Sequence, residues 1–167
     1  MIIIGRDKPL LIVMSGVQGS GKSTIAEKML KDLGQGQVRE TKIVSSDLIR
    51  KELFGDDYIY SPKDNALVFE TIDQRIRENK YSNIIYDATN LTIRERQRIY
   101  DELCDKYTII VFQMVIGRKE ALERLMIRNA IVKENDRIEP KVMLKSLSKL
   151  EPPIEQLDCH LAIIKYF

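Results

Sequence analysis

The feature that most limits how this chain can fold is the string Gly16-Val17-Gln18-Gly19-Ser20-Gly21-Lys22-Ser23, held between an apolar run and a helical pattern. Leu10-Leu11-Ile12-Val13-Met14 before it reads as a strand buried on both faces. The stretch from Ser23 to Asp32 reads as a helix, with Ile25, Met29 and Leu33 at intervals of four. A glycine-rich turn in that setting lets backbone N–H groups curl around an anion, and the helix adds the partial positive charge of its N-terminus. The string is therefore a P-loop. Lys22 would bridge the β- and γ-phosphates of a nucleoside triphosphate, and the Ser23 hydroxyl would ligate Mg²⁺. Thr24 is a second hydroxyl beside it.

Downstream, short apolar runs recur at Ile43-Val44, Ile84-Ile85-Tyr86, Tyr107-Thr108-Ile109-Ile110-Val111-Phe112 and Leu161-Ala162-Ile163-Ile164. Their hydrophobicity is continuous, which predicts strands buried on both faces of a parallel sheet. Helical patterns lie between them. Ala66 to Asn79 places Leu67, Phe69, Ile72 and Ile76 on one broad face. Thr92-Ile93-Arg94-Glu95 is a capping box opening a helix through Leu103. Ala121, Leu122, Leu125 and Met126 mark another helix, and Val142 to Leu150 a last one before Pro152-Pro153. Strands and helices in alternation predict an α/β sheet with right-handed crossovers. No repeat or low-complexity linker divides the 167 residues, so 1–167 read as a single domain.

The charge balance narrows the partners. Twenty-seven basic residues against 25 acidic ones leave a net +2, with no global pull toward nucleic acid or anionic lipid. A polyanion would need a local cluster; Lys51, Arg75, Arg77, Lys80, Arg94 and Arg98 are candidates, and solvated positions the rival account. Cys104 and Cys159 stand far apart, which argues against a disulfide scaffold, zinc site or redox motif and fits a reducing cytosol. Met1-Ile2-Ile3-Ile4 is too short for a signal sequence, and no apolar run approaches the ~20 residues of a membrane span, so a cytoplasmic protein is expected.

The remaining motifs choose among P-loop chemistries. Asn79-Lys80-Tyr81-Ser82 lacks the aspartate that would grip guanine. The second strand runs into Ser45-Ser46-Asp47-Leu48-Ile49-Arg50, which sets Asp47 at a strand's carboxyl end beside the P-loop. Asp47 and Arg50 share a helix face: the carboxylate could take a proton from an attacking hydroxyl, and the arginine could fix a phosphate. A simple cap by Ser46 or Asp47, with Arg50 solvated, accounts for the same spacing. The third strand ends in Asp87-Ala88-Thr89-Asn90. Asp87 could hold a Mg²⁺-bound water or pair with Ser23, and Thr89 and Asn90 could meet the acceptor; a plain turn is the alternative. Arg124 and Arg128, one turn apart, open a polar stretch to Arg137 that reads as a lid over about 118–140, or as a solvated face paired with Glu120 and Glu123. Tyr58 and Tyr60 lie near Arg50 as possible base-stacking platforms. His160 reads as structural.

Gly16 to Ser23, Asp47-x-x-Arg50, Asp87-Ala88-Thr89-Asn90-Leu91, Arg124-x-x-x-Arg128-Asn129 and Glu151-Pro152-Pro153 follow one another in a familiar order. From Leu11 to Pro153 the chain resembles the kinase domain of the polynucleotide 5′-hydroxyl kinases, within the small P-loop kinases. The resemblance implies a three-layer sandwich with a five-stranded parallel sheet, order 2-3-1-4-5, flanked by helices. It implies ATP and Mg²⁺, Asp47 as general base, Arg50 on the acceptor's phosphate and a lid arginine, Arg128, on the ATP phosphates. The lid departs from the family in being longer than a compact Arg-Asn-x-x-Arg form, and Arg137 is the candidate for its second arginine. No Asp-x-Asp-x-Thr motif is present, so the phosphatase domain often fused to such kinases is missing from this sequence. The expected reaction is transfer of the γ-phosphate to the 5′-hydroxyl of DNA or RNA. The alternatives are a kinase for a small metabolite, nucleotide sugar or hydroxymethylated base, and a nucleotide-dependent switch.

Overall fold

The computed structural model describes residues 7–34 and 39–167; the opening run Met1–Ile4 lies outside the described residues. Five strands form one parallel sheet: β1 (Leu10–Ser15), β2 (Thr41–Ser45), β3 (Asn83–Asp87), β4 (Thr108–Val115) and β5 (Leu161–Tyr166). Their order is β2-β3-β1-β4-β5. The helices are α1 (Lys22–Gly34), α2 (Ser46–Phe54), α3 (Asn65–Glu78), α4 (Ile93–Leu103), α5 (Arg118–Ile131) and α6 (Pro140–Leu147). Among the described residues, no helix is long and apolar enough to cross a membrane.

Alternate strand residues point to opposite faces, and each face has its own core. On one, Ile12, Met14, Ile85 and Met114 meet Ala26 of α1, with Ile25, Met29, Leu30 and Leu33 packed around them. On the other, Leu11, Val13, Val44, Ile84, Tyr86, Ile109 and Val111 meet Ile49 of α2, Val68, Ile72 and Ile76 of α3, and Ile99 and Leu103 of α4. Each buried aliphatic side chain contributes about 1.5–3 kcal/mol against exposure. The sandwich of helix, sheet and helix follows from the continuous apolar runs.

Three expectations need correction. β5 is not buried on both faces: as the outermost strand it leaves Ile163 40% and Tyr166 72% exposed. β4 starts one residue later than its apolar run and continues to Val115, through the buried Gln113, whose amide donates to the Ser15 hydroxyl (3.3 Å) and the Glu151 carbonyl (2.8 Å). Tyr107 sits just before the strand and sends its hydroxyl to the Ile76 and Asn79 carbonyls. The last helix opens at Pro140, where a missing N–H costs nothing, and ends at Leu147. The capping box at Thr92 and Glu95 is present with both of its hydrogen bonds.

The carboxyl end of the sheet is tied together by Arg96, a fully buried side chain on α4. Its Nε donates to Asp158 Oδ2 (2.8 Å), itself fully buried. Nη1 donates to the Asn90 and Leu91 carbonyls (3.0 Å each), and Nη2 to those of Glu151 (3.1 Å) and Pro152 (3.2 Å). All five N–H donors of the guanidinium are thereby used. The loop after β3 and the segment before β5 are held in one register.

Candidate active site

β1 ends at Ser15, and the chain turns at once into the loop that caps α1. Gly16 has φ +146, and a Cβ there would lie 2.8 Å from the Met114 carbonyl oxygen, so no larger residue fits. Its N–H donates to the Thr89 carbonyl (2.9 Å), which couples the loop to the end of β3. Val17 is buried with Leu91, Ile116, Leu125 and Met143, anchoring the loop under α5 and α6. The Gln18 Oε1 and Ser20 Oγ atoms are buried without a hydrogen-bond partner.

Lys22 is 8% exposed, and its ammonium donates to the Val17 carbonyl (2.7 Å). Burial lowers its pKa to about 8, against the opposing pull of Asp87 and Asp47. Asp87 is buried at the end of β3, and burial raises its pKa, opposed by the Ser23 hydroxyl and Lys22. A buried ammonium, an orphaned hydroxyl and a loop in which a Cβ would clash fit a polyphosphate. Ser23 and Asp87, which share a cavity of roughly 440 Å³, are oxygen donors suited to Mg²⁺. Thr24, next along α1, is exposed.

That cavity also takes in Asp47 and Ser45 from the junction of β2 and α2, with Glu27, Ile43, Leu48 and Lys51. β2 passes into α2 without a connecting residue. Ser45 is the N-cap, its hydroxyl accepting from Leu48 N–H (3.5 Å), so neither Ser46 nor Asp47 serves as the cap. Asp47 is left facing solvent. Arg50 pairs with it: Nη1 donates to Asp47 Oδ1 (2.9 Å) and Nη2 to Asn65 Oδ1 (3.1 Å). The structure therefore brings Lys22, Ser23, Asp47 and Asp87 together, with Arg50 one turn behind.

Other expected residues fall differently. Asn90 is buried at φ +41 and its amide donates to the Met14 carbonyl (2.9 Å), so it braces β1 and does not face the cavity. Thr89 is half-buried and its carbonyl serves Gly16. Arg124 lies against the P-loop, donating to the Ser20 carbonyl (3.2 Å) and Glu120 (2.7 Å). Arg128 instead donates to the Asp136 carbonyl (2.7 Å), closing the turn after α5, while Arg137 is exposed. Tyr58 stacks on Phe54 (4.7 Å) and bonds Asp64 (2.7 Å), so one ring face and the hydroxyl are engaged within the protein. The Tyr60 ring carries the Arg50 guanidinium at 5.4 Å. His160 accepts from Ile109 N–H (3.0 Å) as a structural residue.

Most of the basic candidates have partners of their own. Arg75 pairs with Glu52, Arg77 with Glu102 (2.7 Å), Lys51 with Asp136 (3.9 Å), and Arg98 with Asp73 (2.6 Å) and Glu102 (3.5 Å) but not Asp101. Lys80 lies over Tyr81, and Arg94 is exposed. Sequence reasoning passed over Asn65, Gln113, Arg96 and Asp158. Only Arg96 carried a signal, because it shares a helix face with Ile99 and Leu103 at i+3 and i+7.

The sequence model of the AAA_33 family, described as an AAA domain, matches residues 11–153. No curated protein sequence matches the chain. Among solved structures, a chain of the Pnkp1/Rnl/Hen1 RNA repair complex superposes with a TM-score of 0.73 at 23% identity, over 89% of this chain. This chain spans only 46% of that one's length. Kti12 from Chaetomium thermophilum, in complex with ADP-AlF3, superposes with a TM-score of 0.73 at 19% identity, covering 94% of this chain and 89% of that one. A gluconokinase from Sinorhizobium meliloti 1021 gives 0.57 at 19% identity, covering 93% and 82%. With its P-loop, its 2-3-1-4-5 parallel sheet and a family match over most of its length, the chain belongs to the AAA_33 family and has the fold of the small P-loop kinases.

Proposed function

We propose that this protein is an ATP-dependent kinase whose acceptor is the 5′-hydroxyl end of DNA or RNA. The observation that carries the reading is the convergence of Ser23, Asp47 and Asp87 on one cavity beside the buried Lys22. A carboxylate facing solvent next to a triphosphate cradle has the placement of a general base. The acceptor oxygen would attack the γ-phosphorus as its proton passes to Asp47. The bond from the γ-phosphorus to the β–γ bridging oxygen would break, and ADP would leave. In this reading Lys22, Arg124 and the lid arginine Arg128 would hold phosphate oxygens, and Arg50 and Thr89 would meet the acceptor. Mg²⁺, when bound, would offset charge on the phosphates, with Ser23 as a ligand and Asp87 holding a water of its shell. The reading takes 1–167 as one cytoplasmic kinase domain with about 118–140 as its lid. The 5′-end preference rests on the motif order and on the likeness to a chain of an RNA repair complex.

A small hydroxylated acceptor is the second reading. It is favoured by the carboxylate partners of Arg75, Arg77 and Arg98, which already occupy three of the basic candidates for a strand's phosphates. One experiment separates the two. The protein is given Mg²⁺ and γ-labelled ATP with 5′-hydroxyl and 5′-phosphorylated oligonucleotides, beside Asp47→Ala and Lys22→Ala. Label confined to the 5′-hydroxyl strands is expected. Asp47→Ala should lose about 10²-fold or more in transfer while still binding ATP. No label on any strand, with ATP bound, would reject the end-kinase reading and favour a small acceptor. ATP turnover unchanged in Asp47→Ala would reject both and leave a nucleotide-dependent switch.

A further inference from the structure

The outer side of α6, and of the turn that ends it, carries charge that the reaction does not use. Met143 and Leu147 pack inward with Val17, Leu91 and Leu125, while Lys141, Lys145 and Lys149 are exposed. The lysines recur every four residues, so they stand in a row with about 6 Å of rise between neighbours. Lys141 is held by Glu139 (2.6 Å), whereas neither Lys145 nor Lys149 has a carboxylate partner among the described residues. The row passes beside the phosphate cradle: the Met143 methyl lies 3.6 Å from where a Cβ on Gly19 would stand. It then reaches the loop that carries Thr89, because Glu151 N–H donates to the Leu91 carbonyl (2.9 Å). Arg94, exposed in the first turn of α4, lies at that end. The carboxylates there are engaged with backbone: Glu151 accepts from Ile93 N–H (2.7 Å) and Glu95 from Thr92 N–H (2.9 Å).

We propose that this row, with Lys145, Lys149 and Arg94 as its contacts, is the surface on which the phosphodiester backbone of a single-stranded acceptor lies, downstream of its reacting 5′ end. This rests on the kinase reading above and deepens it by assigning the path of the partner. Three cations with no carboxylate to leave are open to phosphates, whereas Arg75, Arg77 and Arg98 would first have to give up Glu52, Glu102 and Asp73. With a net charge of only +2, attraction of a strand has to come from such a local row. A strand repeats its charge with every nucleotide, which matches a row that repeats with every helical turn; an acidic protein segment has no such period. Lysines on flexible stems meet phosphates as point charges, so the surface holds the strand without reading its bases.

The test measures transfer from γ-labelled ATP to a 5′-hydroxyl dinucleotide and a 5′-hydroxyl decanucleotide of the same bases, over a range of salt. The dinucleotide has only the phosphate beside its reacting end; the decanucleotide is long enough to follow α6. Wild type should show a KM about tenfold or more lower for the decanucleotide at low salt, with a log–log salt slope of about −2 in 1/KM for three single-strand phosphate contacts. Lys145→Gln with Lys149→Gln should raise that KM about tenfold and bring the slope to about −0.7, with KM for the dinucleotide and for ATP within about twofold of wild type. Lys145→Arg with Lys149→Arg keeps the charge and should keep the wild-type KM. Lys28→Gln with Lys31→Gln, exposed on α1, removes the same charge and should change neither acceptor. A wild-type KM equal for both lengths, or a decanucleotide KM and slope unmoved in the α6 glutamine variant, overturns the inference and keeps the kinase reading. So does an equal rise for both oligonucleotides, which a disturbed P-loop would produce, or an equal effect of the α1 pair, which net charge alone would produce. Transfer to neither oligonucleotide by wild type rejects the 5′-end reading and the inference with it.

Discussion

The Lys22 ammonium is buried beneath one carbonyl, and a pKa lowered to about 8 records the strain of that position. The folded, nucleotide-free protein holds this proton less tightly than the unfolded chain does. The charge therefore costs stability in full below pH 8, and the cost fades as pH rises toward 10.5. A polyphosphate reverses the balance by favouring the charged form. At pH 8 roughly half of the lysine should be neutral, so triphosphate binding should take up about half a proton. Titration calorimetry in two buffers of different ionisation heat measures that uptake; a binding heat independent of buffer would show a lysine already charged. Gly16 gives a second residue-scale test. Gly16→Ala meets both an unfavourable φ and the Met114 carbonyl, and should cost about 1–3 kcal/mol in urea unfolding. Gly34→Ala, at the end of α1 with open space around its Cβ, should be neutral or stabilising by up to about 1 kcal/mol. The Gly16 requirement was legible in the motif. The Lys22 proton was not, since burial depends on Asp87, Val17 and the packed sheet end.

At the scale of elements, α4 has the most to lose from a single change. Arg96 joins it to the loop after β3 and to the segment before β5, and its ion pair with Asp158 has no access to water. Removing either member strands a buried charge, so Arg96→Met or Asp158→Asn should each cost about 3–5 kcal/mol. The double variant should cost much less than the sum, and a double-mutant cycle by urea unfolding reads the difference. Additive losses would mean that the pair is not coupled. The capping box that opens α4 could be read directly, because it is local chemistry. The role of Arg96 could not, because its partners lie 62, 55 and 56 residues away at Asp158, Glu151 and Pro152. Its neighbours Arg94 and Arg98 drew attention as surface charges while the arginine with structural consequence sat on the apolar face of the same helix.

For the whole molecule, the central strands were plain in the sequence because unbroken apolar runs such as Leu10 to Met14 have nowhere to go but the middle of a parallel sheet. Two expectations about β5 were at odds. Its apolar composition suggested burial, while the order 2-3-1-4-5 placed it at an edge, and the edge decides. Hydrogen exchange should follow the same order: amides of β1 slowest and those of β5 much faster, with equal protection counting against the arrangement. Gln113 was invisible as a strand residue for the converse reason, since its amide is satisfied only once β1 and the Glu151 segment are in place. The joint between β2 and α2 bears on how such a protein changes over generations. With Ser45 in the strand and Ser46 in the helix, Asp47 rides on the sheet with no joint of its own. Any inserted residue there would turn the carboxylate away, so lineages are confined to substitution at that point.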